Sequence, residues 1–208
     1  IGDGGVRMAL DAFETARKKN GKNDNRHHIC HLQMIDPEDV PRFAELDVTA
    51  NIQAVWGFPD VYVAGSGLGA VGRERMKKFY VFGSIHRHGG RLACGSDWFV
   101  SSLNPLDAMA VGVRRQDPDL PEGAPQLNPQ EAVSLKTMIE GYTINGAYLM
   151  HQEDEVGSIT KGKRADLIVL DRNIFDIPDA EINQAKVLLT LFDGRTVYKA
   201  AAFAGPST

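Results

Sequence analysis

Two short stretches hold side chains able to do chemistry. Gly95-Ser96-Asp97-Trp98 follows the apolar run Leu92-Ala93-Cys94, which places a carboxylate at the end of a β-strand. Lifted into the mouth of a barrel, such a carboxylate can ligate a metal and accept a proton from metal-bound water. The other reading of the same four residues is structural, an Asp capping the following loop through backbone hydrogen bonds. The second stretch is Arg26-His27-His28-Ile29-Cys30-His31. Strand alternation sends His27, Ile29 and His31 to one side and His28 and Cys30 to the other. His31 comes last, where a ligand would project, and neutral imidazole suits zinc and similar ions. Against this stands a half-buried histidine satisfied by hydrogen bonds. A self-contained zinc site built on Cys-x-His or His-His is weak, because a structural site needs four ligands and no second pair lies nearby.

Other features have plainer explanations. Lys161-Gly162-Lys163-Arg164 fits a solvated turn between strands better than a phosphate or nucleic-acid patch. Gly67-x-Gly69-x-x-Gly72 lacks the preceding strand and the spaced acidic residue of a dinucleotide fingerprint. His86 and His88 close a helix, as ordinary C-terminal partners. Trp56, Trp98 and Phe99 suit a substrate pocket or core packing about equally.

The elements that must position His31 and Asp97 follow from periodicity. Val6, Ala9, Leu10, Phe13 and Ala16 recur at helical spacing, with Arg17, Lys18, Lys19 and then Gly21 as a stop. His28 to Leu32 is a short strand. Asp36 as N-cap and Pro37 at the first position open a helix that runs to about Leu46. Val48 to Gln53 is a strand, Gly65 to Gly72 a loop, Arg73 to His88 a helix and Arg91 to Ser96 a strand. Strand and helix alternating in this way signal a parallel sheet with crossover helices. Each strand ends in polar residues, Gln33 and Gln53 among them, as at the catalytic mouth of a (β/α)₈ barrel. A short helix at Pro105 to Arg114 and a long helical stretch from Pro129 to about Gln152, with breaks at Gly141 or Gly146, come next. Beyond residue 155, Gly157 to Ile159, Ala165 to Leu170, Val187 to Phe192 and Thr196 to Tyr198 suit β-strands separated by turns such as Asp193-Gly194.

Composition narrows the function. A net charge of −4 and a pI near 5.9 leave no basic footprint for nucleic acid. No apolar run is long enough to span a membrane. Cys30 and Cys94, both within strand-like stretches, suit buried thiols in a reducing, cytoplasmic compartment. Ile1-Gly2-Asp3 has the character of a loop entering a helix, which suggests a truncated chain.

At this point the pattern resembles the amidohydrolase superfamily, specifically the amidohydrolase-3 group of YtcJ-like and N-substituted formamide deformylase-like proteins. The likeness covers nearly the whole chain. Ile1-Gly2-Asp3 resembles the segment after the fifth barrel strand. His31-Leu32-Gln33 with Asp39, Pro41, Arg42 and Phe43 resembles the sixth strand and its helix. Gly95-Ser96-Asp97-Trp98 with Asn104-Pro105 resembles the eighth-strand motif. Tyr142-Thr143-x-Asn145-Gly146-Ala147 and Gly157-Ser158-Ile159-x-x-Gly162-Lys163-x-Ala165-Asp166-Leu167 resemble the closing helix and β-appendage. In that family the other ligands come from a first-strand His-x-His, often a Lys, Glu or Cys on the fourth strand, and a fifth-strand His. The resemblance makes His31 the sixth-strand metal ligand and Asp97 a ligand that is also the general base. Three positions depart from the family pattern. Cys30 stands where Glu usually precedes the sixth-strand His, Ala54-Val55-Trp56 where Pro and a nearby His are common, and Phe99 where Pro follows the Trp.

The expected fold is therefore α/β, strands six to eight of a metal-dependent hydrolase TIM barrel in residues 1–155 and part of a β-rich appendage in 156–208. The expected chemistry is hydrolysis of an amide or formamide C–N bond by water activated on a divalent metal, zinc first among candidates. Gln33, Gln53, Trp56 and Trp98 are candidates for the substrate pocket. A non-catalytic scaffold lacking the full metal site is the competing expectation. Exposed barrel edges predict a homo-oligomer.

Overall fold

The computed structural model describes residues 1–203. Helix α1 (Asp3–Asn20) buries Val6 and Leu10, each side chain contributing about 1.5–3 kcal/mol. Arg17, Lys18 and Lys19 complement the negative end of the helix dipole in its last turn, and Gly21, at φ 75°, closes it by donating its N–H to Arg17 O. Strand β1 (His28–Cys30) follows, then a 3₁₀ turn at Pro37–Asp39, helix α2 (Arg42–Glu45) and strand β2 (Thr49–Ile52). Val61–Gly67 is π-helical and runs into α3 (Leu68–Met76), with α4 (Phe82–Arg87) and β3 (Leu92–Cys94) beyond.

The three strands form a parallel sheet in the order β1-β2-β3. Its register pairs Ile29 with Ala50 and Ala50 with Leu92, and likewise Cys30 with Asn51 and Asn51 with Ala93. Because paired residues share a face, Ile29, Ala50, Ile52 and Leu92 look toward the helices and join the main core. His28, Cys30 and Asn51 occupy the other face.

The described residues continue with α5 (Pro105–Arg114), α6 (Leu135–Tyr142), α7 (Ile144–Leu149) and an antiparallel sheet of β4 (Leu167–Leu170), β5 (Val187–Phe192) and β6 (Arg195–Lys199). Asn104 caps α5 by accepting the Leu106 N–H, and Pro105 occupies the first turn, where no backbone donor is needed. Ile174, Ile182 and Ala185, late in the chain, belong to the same hydrophobic cluster as the parallel sheet. Gly141 sits where α6 crosses β3. A Cβ there would lie 2.5 Å from Cys94 Sγ, so only glycine permits this approach.

Several local expectations give way to tertiary structure. Asp36 does cap, accepting the Glu38 N–H, but the helix expected to reach Leu46 is split into a 3₁₀ turn and α2. Asp39 is drawn inward to pair with Arg7 and Arg42 at 2.8 and 2.9 Å. The Gly65–Gly72 segment is helical rather than a loop, bent at Gly72 (φ 74°). The helix expected over Arg73–His88 is interrupted where Tyr80 takes φ 50° and donates its backbone N–H to Gln33 O. The stretch after Pro129 breaks twice, between the 3₁₀ turn Pro129–Glu131 and α6 and again at Thr143 (φ −126°, ψ −97°), in neither case at a glycine. Gly157–Ile159 forms no strand: Gly157 takes φ 85°, and a Cβ there would meet Ala147 Cβ at 2.7 Å. Nor are both cysteines buried. Cys30 is exposed and Cys94 only half-buried; Cys30 pairs with Asn51, on the face opposite the core residues Ile29, Ala50 and Ile52.

Candidate functional site

The chain just past β1 and β2 brings His31 together with Gln53 and Trp56. After Cys30 the backbone leaves extended geometry at His31 (φ 71°) and Leu32 (φ 50°), so strand alternation stops one residue before His31. His31 N–H still donates to Asn51 O, which fixes its backbone to the end of β2. Immediately past β2, Gln53 is buried and its Oε1 lies 3.0 Å from His31 Nδ1. Gln53 Nε2 points the other way, 3.4 Å from Asn51 Oδ1. An amide oxygen only accepts, so Nδ1 carries the proton and the imidazole lone pair is left at Nε2. Metal-ligating histidines are commonly oriented in this manner, by a hydrogen bond from the nitrogen that does not ligate.

Asp97 follows β3, also in left-handed geometry (φ 53°), with its side chain exposed. The loop after it is fastened by its neighbours: Ser96 Oγ accepts the Trp98 N–H at 3.2 Å, and Asp97's own carbonyl accepts the Val100 N–H. Asp97's charge is felt across the sheet. Partial burial, and secondarily that carboxylate, push the Cys30 thiol above its ordinary value. Cys94 is pushed to about 12 by burial alone, as suits a thiol wedged against Gly141.

Trp56 stacks on His31, with ring centroids 5.6 Å apart and planes 19° from parallel, and its indole N–H donates to Ser101 Oγ. Beside this stack opens a cavity of about 460 Å³ whose walls include Gln33, Trp56, Phe58, Asp60 and Tyr80. Gln33 and Trp56 thus face the cavity, Gln53 sits behind His31, and Trp98 stands out in solvent at 65% exposure. Sequence reasoning did not single out Asp60, Tyr80 or Ser101. The signal available for Asp60 was its position before Val61, where its carboxylate caps the following helical segment through the Val63 N–H. Tyr80 could be found only through the fold, since burial holds its phenol at about 12.

Imidazole nitrogen and carboxylate oxygen are ordinary donors for zinc, so the side-chain types of His31 and Asp97 suit a divalent ion. Among the described residues no group of three or more His, Cys, Asp or Glu side chains is placed to hold one. No helix among them is long and apolar enough to cross a membrane.

The amidohydrolase family model matches residues 1–198. The chain belongs to that family. It is 32% identical over 198 residues to Protein LONG AFTER FAR-RED 3 of Arabidopsis thaliana, covering 95% of this chain and 33% of that protein. It is 31% identical to N-substituted formamide deformylase of Arthrobacter pascens, covering 96% of this chain and 35% of that enzyme. Among solved structures, an uncharacterised metal-dependent hydrolase from Pyrococcus furiosus superposes with a TM-score of 0.66 at 26% identity, covering 83% of this chain and 32% of that one. The chain therefore spans about a third of the length of the relatives it matches.

Proposed function

We propose that these residues form part of the catalytic mouth of a hydrolase that cleaves an amide or formamide C–N bond. The observation that carries this reading is the pairing of His31 with Gln53, which leaves Nε2 unprotonated at a strand end next to Trp56. Family membership and the metal-dependent hydrolase from Pyrococcus furiosus support it. In this reading the parallel sheet is strands six to eight of a TIM barrel, and the boundary near residue 155 marks the start of the appendage.

His31 and Asp97 would hold a divalent ion, zinc by the donor types, with the other ligands from strands outside these 208 residues. When bound, the ion would supply Lewis acidity toward the amide carbonyl and toward water. Asp97 accepts a proton from the attacking water and delivers it to the departing nitrogen, so that water and amide become a carboxylic acid and an amine. Gln53 keeps the His31 ring in one tautomer and one orientation through this cycle. Trp56 shields the histidine on one face from bulk solvent. The open edges of β1 and β3 would be covered by the rest of the barrel or by a second copy.

The test is amine release from a panel of simple amides and formamides, with and without added zinc, for the wild-type protein and Asp97→Asn. Zinc-dependent release that Asp97→Asn abolishes is the expected result. Zinc-loaded protein that releases no amine, or release indifferent to Asp97→Asn, would overturn the reading.

A further inference from the structure

The cavity beside the Trp56–His31 stack has a mixed lining, and part of its polar set is engaged within the protein. Asp60 accepts the Val63 N–H at 2.7 Å, Ser101 Oγ accepts the indole N–H of Trp56, and Tyr80 and Gln33 interact with each other. The apolar part of the lining comes from Val55, the Trp56 indole, Phe58, the Tyr62 ring and Val100. The cavity's volume of about 460 Å³ falls within the range of small-molecule pockets, roughly 300–1,000 Å³.

We propose that this cavity is the specificity pocket of the site and takes a flat apolar substituent, a phenyl ring or its like, on the substrate. The proposal deepens the hydrolase reading and rests on it for the word substrate. Two observations carry it. Aromatic walls attract a ring through offset or edge-on stacking. One wall, Trp56, is fixed at both ends, by its hydrogen bond to Ser101 and its stack on His31, so a ring held against it lies beside the candidate ligand. Trp56 therefore determines which substituent reaches the scissile bond.

The chain contains two tryptophans, so the indole N–H resonance of Trp56 can be assigned by NMR with Trp98→Phe. Titration of the full chain with 2-phenylethanol should move the Trp56 resonance saturably. Ethanol should bind at least ten-fold more weakly. Val100→Asp, which sets a charge in the cavity at a solvent-exposed position, should weaken 2-phenylethanol by at least ten-fold while leaving the Trp56 signal in place. A resonance that does not saturate, an equal response to ethanol, or an unchanged Val100→Asp would overturn the proposal. The titration needs no turnover. Amide hydrolysis without a Trp56 response defeats the pocket alone, and a Trp56 response without hydrolysis defeats the hydrolase reading alone.

Discussion

His31 and Gln53 are joined side chain to side chain, Nδ1 to Oε1 at 3.0 Å, across two neighbouring parallel strands. The bond decides which imidazole nitrogen is free. Replacing Gln53 with Leu removes the acceptor and lets the ring turn or change tautomer. Loss of such a supporting partner commonly costs 10–100-fold in metal affinity. Gln53→Leu should therefore weaken zinc binding by about 10–100-fold, while Gln53→Glu, which keeps an acceptor, retains it. Competition against a chromophoric chelator measures both variants. Equal affinity in wild type and Gln53→Leu would remove His31 from the ligand set.

Asp97 carries the second prediction. General acid–base groups typically contribute 10²–10⁴-fold to rate, and Asn keeps the shape of Asp without its basicity. Asp97→Asn should lower kcat by about 10²–10⁴-fold with little change in melting temperature, since Ser96 and not Asp97's carboxylate holds the Trp98 N–H. A large stability loss with unchanged kcat would make Asp97 a structural residue.

Local pattern carried some of this architecture and left the rest to contacts far apart in sequence. The hairpin of β5 and β6 was legible because Asp193-Gly194 supplies two consecutive positive φ values, 52° and 74°, the geometry a two-residue hairpin turn needs. Helix α5 was legible from Asn104-Pro105, a capping side chain followed by a residue with no backbone donor. The interruption at Tyr80 was not, because it depends on a hydrogen bond to Gln33, far back along the chain. Asp97 and His31 were visible as residue types at strand ends. The stack of Trp56 on His31 was not, since it arises only once β1 and β2 pair in register. The exposure of Cys30 was hidden for the same reason: a strand-like stretch does not say which face joins the core.

Glycines 141 and 146 provide a contrast within five residues of chain. At Gly141 a Cβ would stand 2.5 Å from Cys94 Sγ, while at Gly146 the nearest atom would be 3.9 Å away. Gly141→Ala should destabilise by about 1–3 kcal/mol, the usual cost of overpacking. Gly146→Ala, inside α7 with room to spare, should stabilise by about 0.4–1 kcal/mol by restricting the unfolded chain. Urea denaturation of the two variants tests the pair. Similar effects from both would mean that α6 does not approach β3 this closely in solution.

The last prediction concerns acid. Asp171, at the end of β4, receives two hydrogen bonds from Arg172, at 3.1 and 3.0 Å, and one from the Lys186 backbone N–H at 3.0 Å. The guanidinium first, and the backbone bond second, hold its pKa at about 2 against an ordinary 3.8. The folded carboxyl thus binds its proton less readily than the unfolded one. Its contribution to stability is fully present above pH 3.8 and is lost as pH falls toward 2. Because the group lies near the surface, added salt should shrink the effect. Carboxyl ¹³C NMR should place the Asp171 midpoint near 2, and Asp171→Asn should flatten the fall in stability between pH 4 and 2. A midpoint at the ordinary value would mean that Arg172 does not hold the carboxylate in solution, and the tie between β4 and β5 at Lys186 would then rest on the backbone bond from Asp171 N–H to Lys186 O.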